Sequence, residues 1–396
     1  MGKSLVSSND ASLTVQPDCL IPDLLILFHH GVGRDLVKNK LLIGLFVVLL
    51  VGGGFVLQSM VSAGVFKTLE PHFDGQCRLV EGVTGAEDIT IDPDTGIAYI
   101  SAMDRRKLGA EGVHDGGIFL YLPGTFEAPA RMLSTYEGDF HPHGISLWKA
   151  PENSMQNDRL FVVSHPPILA DDGTITGQKS QVDIFEISGL ILNHVASVAP
   201  RDAISLNDVA AIGPETFFAS IDQGSTTSLG RTLEVYGRLA RSGILLGHKG
   251  ETEKILGDLV YANGVQVSED NSTLYVAETT GKRLSAYAIN PRTGRLTLKS
   301  ELEIDSGLDN IEIAEDGSLW VVSHPKTFDF LAHAGDAAER SASQIFSVSD
   351  NGDALTATEI YLSDGNPMSG ASVAAPVGNR FVMGSVFEPF ILDCAL

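Results

Sequence analysis

One hairpin pattern recurs after residue 66, and this repetition limits the fold more than any other feature of the sequence. Each copy begins with a polar residue, continues through a short apolar strand and a turn, and ends in a second strand. The copies occupy residues 87–102, 143–165, 207–222, 263–278 and 309–324, with a degenerate sixth at 370–387. Between them, Gly, Asn and Asp separate further short strands, and helical periodicity is nearly absent. The pattern therefore predicts an all-β fold.

The spacing of the copies indicates the architecture. Successive copies start 56, 64, 56 and 46 residues apart, so each repeat is long enough for the four strands of one propeller blade. The sequence predicts a six-bladed β-propeller over residues 67–396. Each hairpin would contribute the innermost strand of its blade, and the first residue of each copy should point toward the axis.

These first residues are mostly oxygen donors. They are Glu87, His143, Asn207, Asn263 and Asp309, and Asn310 follows directly. An Asn-Gly pair such as Asn263-Gly264 is more often a turn, but the coincidence of polar residues at equivalent positions favours a binding ring. Two carboxylates and three amides are hard ligands, which suit Ca²⁺ better than zinc.

A second tier of acids directly follows two members of this ring. Strand alternation would turn Asp88 and Asp208 away from the axis and into the packing between blades. Buried carboxylates are costly unless they are paired or bound to a metal. Hydrogen bonds to exposed loop amides are an equally open interpretation of both residues.

Histidines lie at both ends of the second copy. FHPHGIS (140–146) opens it and FVVSHPP (161–167) closes it, which places His143 and His165 at one end of the axis. A histidine can act as a general base near neutral pH. Chelation of a transition metal by His141 and His143 is the alternative, although a third soft ligand is lacking. No G-x-S-x-G, H-E-x-x-H or P-loop motif occurs, which argues against the common hydrolase and NTPase classes.

An apolar segment at residues 41–66 precedes the repeats and is long enough to span a bilayer. Arg34, Lys38 and Lys40 precede it, so the positive-inside rule predicts a cytoplasmic segment 1–40 and an extracytoplasmic domain 67–396. A cleaved secretory signal is the alternative. The formal charge of −23 argues against a nucleic-acid partner.

Several blocks of the sequence resemble the serum paraoxonase/arylesterase family of calcium-dependent lactonases, in the family's order. These blocks are CRLVEGVTGAEDITI, FHPHGIS, FVVSHP, LNDVAAIGPE, ANGVQVS, LDNIEIAEDGSLWV and ILDCAL. The resemblance implies a six-bladed propeller with two calcium ions in a central tunnel. It implies that the catalytic ion binds Glu87, Asn207, Asn263, Asp309 and Asn310. It implies that the structural ion binds Asp88, Asp208 and the carbonyl of Ile145, and that His143 and His165 form a catalytic dyad.

The resemblance also implies a disulfide between Cys77 and Cys394, which leaves Cys19 without a partner, and a hydrophobic N-terminal segment that associates with membrane. The chain departs from the family at IDQGS (221–225), where Asp222 is kept but Gln223 replaces a histidine. It also carries extra loop sequence at 107–117 and 326–343. We expect Asp222 and His324 to border the substrate pocket.

Together these features predict a membrane-anchored hydrolase of small-molecule esters or lactones that uses calcium and a histidine-activated water. Two rivals remain open. One is a gluconolactonase-type or strictosidine-synthase-type propeller, and the other is a non-catalytic, membrane-tethered binding propeller. The sequence does not indicate an oligomeric state.

Overall fold

The computed structural model describes residues 23–107, 116–171, 174–201 and 204–396, with side chains from residue 39 onward. Residues 1–22 with Cys19, residues 108–115 of the predicted extra loop sequence, and the side chains of Arg34 and Lys38 therefore lie outside the described part of the chain. The chain divides into two compact units between Gln58 and Ser59.

The first described element is a long helix, α1 (Asp23–Ser62). Its stretch Asn39–Ser62 has a mean hydropathy of 2.5 and none of it is buried, so it is long and apolar enough to cross a membrane. The helix ends before the predicted boundary at residue 66, since Ala63 is already buried and its carbonyl accepts a hydrogen bond from the amide of Thr327. The sidedness of the segment and the domain boundaries stay predictions.

The second unit consists of six sheets of four principal strands, which confirms the six-bladed β-propeller. Blade 1 is β2 (Ala86–Ile91), β3 (Ala98–Ala102), β4 (Gly117–Tyr121) and β5 (Ala130–Arg131). Blade 2 is β7 (Pro142–Trp148), β8 (Arg159–Ser164), β11 (Gln181–Ser188) and β12 (Ile191–Val198), with β6 (Leu133–Ser134) at its edge and the hairpin β9 (Pro167–Leu169) and β10 (Ile175–Gln178) inserted. Blade 3 is β13 (Ser205–Gly213), β14 (Thr216–Gln223), β15 (Ser242–His248) and β16 (Glu251–Leu259), with α2 (Ser228–Gly237) between β14 and β15.

The remaining blades follow the same order from inside to outside. Blade 4 is β17 (Ala262–Val267), β18 (Thr273–Glu278), β19 (Arg283–Ile289) and β20 (Leu296–Glu303). Blade 5 is β21 (Gly307–Ile313), β22 (Leu319–His324), β23 (Gln344–Asp350) and β24 (Leu355–Leu362), with α3 (Thr327–Gly335) after β22. Blade 6 is β25 (Ala371–Val377), β26 (Arg380–Ser385), β27 (Phe390–Ala395) and the N-terminal strand β1 (Gln76–Glu81).

An apolar layer lies between each pair of neighbouring blades, because successive residues of a strand face opposite sides of its sheet. On β14, Phe217 and Ala219 pack toward blade 2, whereas Phe218 between them packs toward blade 4. Six such clusters, one for each junction, close the ring. The core is therefore distributed around the axis, and the axis itself remains available for polar side chains.

The ring closes between the two ends of the propeller chain. β1 pairs with β27 as the outermost strand of blade 6, and Cys77 lies opposite Cys394 in that pairing. A disulfide joins the two cysteines, as the family resemblance implies.

Each innermost strand has a bulge near its first residues. The register shifts between Ala86 and Asp88 on β2 and between Pro142 and Ile145 on β7, and the strands β13, β17, β21 and β25 shift at the equivalent place. A bulge interrupts the alternation of side chains and re-aims them. The bulges explain why polar residues at these positions avoid the apolar layers on either side of the sheet.

Candidate active site at the propeller axis

The residues of the predicted oxygen ring are buried, near the starts of the innermost strands of four blades. Its members Glu87, Asn207, Asn263, Asp309 and Asn310 are between 1% and 7% exposed. They come from blades 1, 3, 4 and 5, so the residues that the repeat predicts are indeed at equivalent structural positions.

Four acceptor oxygens in this ring have no hydrogen-bond partner among the described residues. These are Glu87 Oε2 and the Oδ1 atoms of Asn207, Asn263 and Asn310. Two of the amides are held by their nitrogens, since Asn263 Nδ2 donates to Thr279 Oγ1 at 3.0 Å and Asn310 Nδ2 donates to Glu87 Oε1 at 3.2 Å. Buried acceptors without donors are rare and require an explanation, and a bound cation provides one.

The second tier differs from the ring, because its carboxylate oxygens accept hydrogen bonds from backbone amides. Asp88 Oδ2 accepts the amide of Ile145 at 2.7 Å, and Asp208 Oδ2 accepts the amide of Val265 at 2.7 Å. The other oxygen of each accepts the amide of the next residue in its own strand. Each acid therefore ties its strand to the inner strand of the following blade, through buried amides rather than exposed loop amides.

Two glycines make these close approaches feasible. A Cβ atom on Gly144 would lie 2.3 Å from Asp208 Oδ1, and one on Gly264 would lie 2.4 Å from the carbonyl oxygen of Asp309. The Asn-Gly and His-Gly pairs of the sequence are thus required by strand contact at the axis, and not by a turn.

The two histidines form a hydrogen-bonded pair. His143 Nδ1 lies 3.0 Å from His165 Nε2, and His165 Nδ1 lies 3.0 Å from Ser180 Oγ. On the other side, His143 Nε2 lies 3.2 Å from Glu87 Oε1. His143 is therefore placed between the oxygen ring and His165, as the dyad prediction requires.

Burial and neighbouring charges set the protonation states of His165 and Glu87, which flank His143. Burial, together with the nearby His143 and Arg105, lowers the pKa of His165 to about 3, so His165 is neutral at physiological pH. Although burial favours the protonated carboxyl, His143 and Arg105 together hold the pKa of Glu87 below its usual value. A carboxylate, an intervening histidine and a neutral histidine thus stand in a row.

A small chamber borders the dyad. It has a volume of about 280 Å³, and Arg105, His143, His165 and Asp222 are among its lining residues. Burial raises the pKa of Asp222 to about 6, and its Oδ1 has no hydrogen-bond partner among the described residues. A wider cleft of about 1300 Å³ adjoins the chamber and is bordered by the inserted hairpin of β9 and β10.

His324 contacts a carboxylate of the ring. Its Nε2 lies 2.8 Å from Asp309 Oδ2, and its ring stacks on Phe330 at 4.0 Å. It is not among the residues that line the described chamber or cleft. The geometry makes His324 the partner of a ring carboxylate, whereas Asp222 does border the chamber.

Sequence reasoning missed two charged residues at the axis. Glu312 is buried, and burial together with Asp88 raises its pKa well above the usual value. Its position two residues after Asn310 on a strand was the available signal, since such residues share a face. The other is Arg105, which follows β3 without any motif that would single it out.

No three His, Cys, Asp or Glu side chains among the described residues form a group that could hold a metal ion. This finding gives no support to a transition-metal site at His141 and His143. It is compatible with the ring, in which amide oxygens outnumber carboxylates.

Comparison with known proteins identifies the family of the chain. A family model described as Arylesterase matches residues 71–396. The chain belongs to the arylesterase family. Serum paraoxonase/arylesterase 1 of Homo sapiens is 27% identical over 337 residues, which cover 81% of this chain and 89% of that protein. Serum paraoxonase/arylesterase 2 of Gallus gallus is 28% identical, with coverage of 81% and 89%. Serum paraoxonase/lactonase 3 of Oryctolagus cuniculus is 27% identical, with coverage of 85% and 93%.

A structural likeness to the periplasmic gluconolactonase of Pseudomonas aeruginosa has a TM-score of 0.45 at 13% identity and covers 75% of this chain and 77% of that one. A likeness at this level carries no argument about function. Membership of the arylesterase family confirms the resemblance drawn from the sequence blocks.

Proposed function

We propose that this protein is a calcium-dependent hydrolase of carboxylic esters and lactones, anchored to a membrane by α1. The observation that carries the proposal is the set of four buried acceptor oxygens that have no hydrogen-bond partner in the described part of the chain and lie beside the histidine pair. Family membership supports the reaction class, because the related proteins are arylesterases and lactonases.

The donor set fits a hard divalent cation. Carboxylate and amide oxygens are the ligands that Ca²⁺ prefers, and Glu87, Asn207, Asn263, Asp309 and Asn310 supply five of the six to eight it takes. When bound, the ion would polarise the substrate carbonyl and stabilise negative charge on its oxygen. A neighbouring cation would also balance the negative charge of Glu87 and Asp309.

The second tier, Asp88 and Asp208, is called the lower tier from here on. A second calcium ion there is compatible with the hydrogen bonds that these acids accept from backbone amides. A carboxylate oxygen has two lone pairs, so Asp88 and Asp208 can each accept an amide and still bind a cation. The carbonyl of Ile145 would complete this set, since the amide of the same residue already contacts Asp88. Burial raises the pKa of both acids, and in each case a nearby carboxylate raises it further, so a cation is the simplest source of compensation.

His143 is the proposed general base, and Nε2 is the atom that accepts the proton of the attacking water. In the basic tautomer, the Nδ1 proton is donated to His165 Nε2, and the bare Nε2 faces Glu87 Oε1. Two acceptors 3.2 Å apart repel each other until a proton arrives on Nε2. The carboxylate of Glu87 lies where it can pair with the ring of His143 once that ring has accepted the proton, and the neutral His165 fixes the tautomer without itself becoming charged.

Hydrolysis forms one bond to the acyl carbon, breaks another, and moves one proton from water to the leaving oxygen. The water oxygen forms a bond to the acyl carbon, its proton passes to His143, and the bond from the acyl carbon to the leaving oxygen breaks. The leaving oxygen needs a proton, which His143 can return. Asp222 is a second donor, because it borders the same chamber and its raised pKa of about 6 keeps part of it protonated near neutrality.

The proposed topology is a single span with the propeller on the extracytoplasmic side. Three basic residues precede the apolar stretch, and the Cys77–Cys394 disulfide is of the kind that persists in an oxidising compartment.

Hydrolysis assays on the detergent-solubilised full chain test the proposal. Phenyl acetate and a γ-lactone should be hydrolysed with calcium present, lose their turnover in EGTA and regain it when calcium is restored. A rate that is unchanged in EGTA would refute the calcium requirement. Absence of turnover for every ester and lactone in calcium would refute the hydrolase, and would favour a binding propeller.

A further inference from the structure

Arg105 connects two blades immediately beside the proposed catalytic pair. It lies two residues after Met103, where the second strand of blade 1 has ended. One guanidinium nitrogen, Nη1, donates to the carbonyl of Gly85 at 3.2 Å and to that of Met103 at 3.5 Å. The other, Nη2, donates to the carbonyl of Pro142 at 2.9 Å. One planar group thus contacts the residue directly before the inner strand of blade 1 and the first residue of the inner strand of blade 2.

Two of the contacted carbonyls lie close in sequence to the proposed site residues. Gly85 lies two residues before Glu87, and Pro142 lies one residue before His143. The bulges interrupt regular strand pairing between Ala86 and Asp88 and between Pro142 and Ile145. Regular strand pairing is therefore interrupted where Glu87 and His143 project, and side-chain contacts to backbone carbonyls, such as that from Ser372 Oγ to the carbonyl of Glu87 at 2.6 Å, help to hold the backbone there.

A second contact from blade 1 supports the same strand. The hydroxyl of Ser101, on β3, donates to the carbonyl of His143. Ser101 and Arg105 together tie blade 1 to the backbone of His143 and of the residue before it. Arg105 also borders both the chamber and the wider cleft, so its guanidinium is reachable from solvent through the substrate route.

We propose that Arg105 is the positioning residue that holds Glu87 and His143 in contact across the junction of blades 1 and 2. The inference rests on the proposed hydrolase function and names a further residue of the same site. Arg105 acts through the two strands, so its loss should lower kcat and leave KM nearly unchanged. Lysine cannot replace it, because a single ammonium group lacks the planar fork that reaches carbonyls of two strands at once.

Chemical rescue tests the inference on the full chain. Arg105→Ala should lower kcat for phenyl acetate about 10- to 100-fold, the range expected when catalytic groups are misplaced by about an ångström. Millimolar guanidinium should then restore a large part of kcat, because the vacated space borders the chamber. Sodium chloride and methylammonium at equal ionic strength should not restore it.

Two further variants complete the test. Arg131→Ala is the matched control, since the Arg131 guanidinium donates to the carbonyl of Gly116 at 2.8 Å in the same blade but does not border the chamber. Arg131→Ala should keep the wild-type kcat, and added guanidinium should not change it. Arg105→Lys keeps the charge and most of the volume, so it should fold and still lose kcat, which keeps the inference testable if Arg105→Ala does not fold.

Three outcomes would overturn the inference. They are wild-type kcat in folded Arg105→Lys, a kcat loss in Arg105→Ala that guanidinium leaves unchanged, and equal rescue by methylammonium. An inactive wild-type protein in calcium would instead refute the proposed function, and the inference with it.

Discussion

Asn207 and Asp208 are adjacent on β13, yet their side-chain oxygens differ in whether they accept hydrogen bonds. Asn207 Oδ1 is buried without a hydrogen-bond partner among the described residues, whereas both oxygens of Asp208 accept buried backbone amides. Blade 1 repeats the contrast with Glu87 and Asp88. The ring of Glu87, Asn207, Asn263, Asp309 and Asn310, here called the upper tier, includes four acceptors without a partner among the residues that the structure describes. The lower tier uses its acceptors to join blades.

The difference shows how a repeated strand can serve binding and stability within two residues. A bulge lets consecutive side chains point to different partners, one toward the axis and one toward the next blade. Substitutions in the upper tier should therefore affect chemistry and metal binding, and substitutions in the lower tier should affect folding.

The largest effect is expected at the histidine that contacts the upper tier. His143→Gln keeps the size but removes the base, so the esterase rate should fall about 10²- to 10⁴-fold. Its Tm should stay close to that of the wild type. His248→Gln, at an exposed histidine at the end of β15, is the matched control and should keep full activity. Near-wild-type turnover in His143→Gln would remove the general base from the account.

In the lower tier, Asp208→Ala should act on stability. It leaves the buried amides of Val265 and Val209 without acceptors, and each unsatisfied group costs about 1 to 3 kcal/mol. The Tm of the calcium-saturated variant should fall clearly, while the rate per folded molecule changes little. Asp353→Ala, in an exposed turn, should leave Tm unchanged. The reverse pattern, with intact Tm and lost activity, would contradict the division between tiers.

A smaller effect is expected for a single amide of the upper tier. Asn263→Ala removes one unpartnered acceptor and should weaken calcium binding about 10- to 100-fold, by analogy with other changes around metal sites. The Tm measured in EGTA should fall only slightly below that of the wild type in EGTA, because the one printed contact that is lost is the hydrogen bond from Asn263 Nδ2 to Thr279 Oγ1, while Oδ1 has no partner among the described residues. A large loss of Tm in EGTA would show that Asn263 is structural.

The positions of the upper-tier residues could be predicted from the sequence, whereas the contacts of the lower-tier residues could not. Hairpins at regular spacing place Glu87, Asn207 and Asn263 at equivalent positions, and this follows from chain geometry alone. The bulges could not be predicted, because they depend on how neighbouring blades meet. Simple alternation was therefore an incomplete guide to Asp88 and Asp208.

Long-range contacts explain the remaining gaps. Nothing near Arg105 in sequence indicates that it reaches Pro142, 37 positions away. The role of His324 likewise depends on Phe330 and Asp309, which meet it only in the folded blade. By contrast, the pairing of Cys77 with Cys394 was available from the family resemblance, and the register of β1 against β27 confirms it.

The smallest predicted effect is a pH dependence that arises beside the upper tier. The native pKa of His165 is about 3, below the unfolded value of about 6.5, so folding releases a proton between these values. The associated stability is fully present above pH 6.5 and is lost as the pH falls toward 3. The slope is at most about 1.4 kcal/mol per pH unit, and less for a half-buried ring. His165→Gln should lose less Tm than the wild type between pH 7 and pH 5, and an identical loss would contradict the assignment.

Calorimetric calcium titration of the detergent-solubilised full chain, after removal of bound metal with EGTA, tests the central claim most directly. We expect two calcium ions per chain for the wild type and for the exposed-amide control Asn379→Ala. For Asn207→Ala we expect one ion to bind with unchanged affinity and the other to bind about 10- to 100-fold more weakly, because the upper tier loses a ligand while the lower tier keeps both acids. No calcium uptake by the wild type, or two ions retained with unchanged affinity in Asn207→Ala, would contradict it.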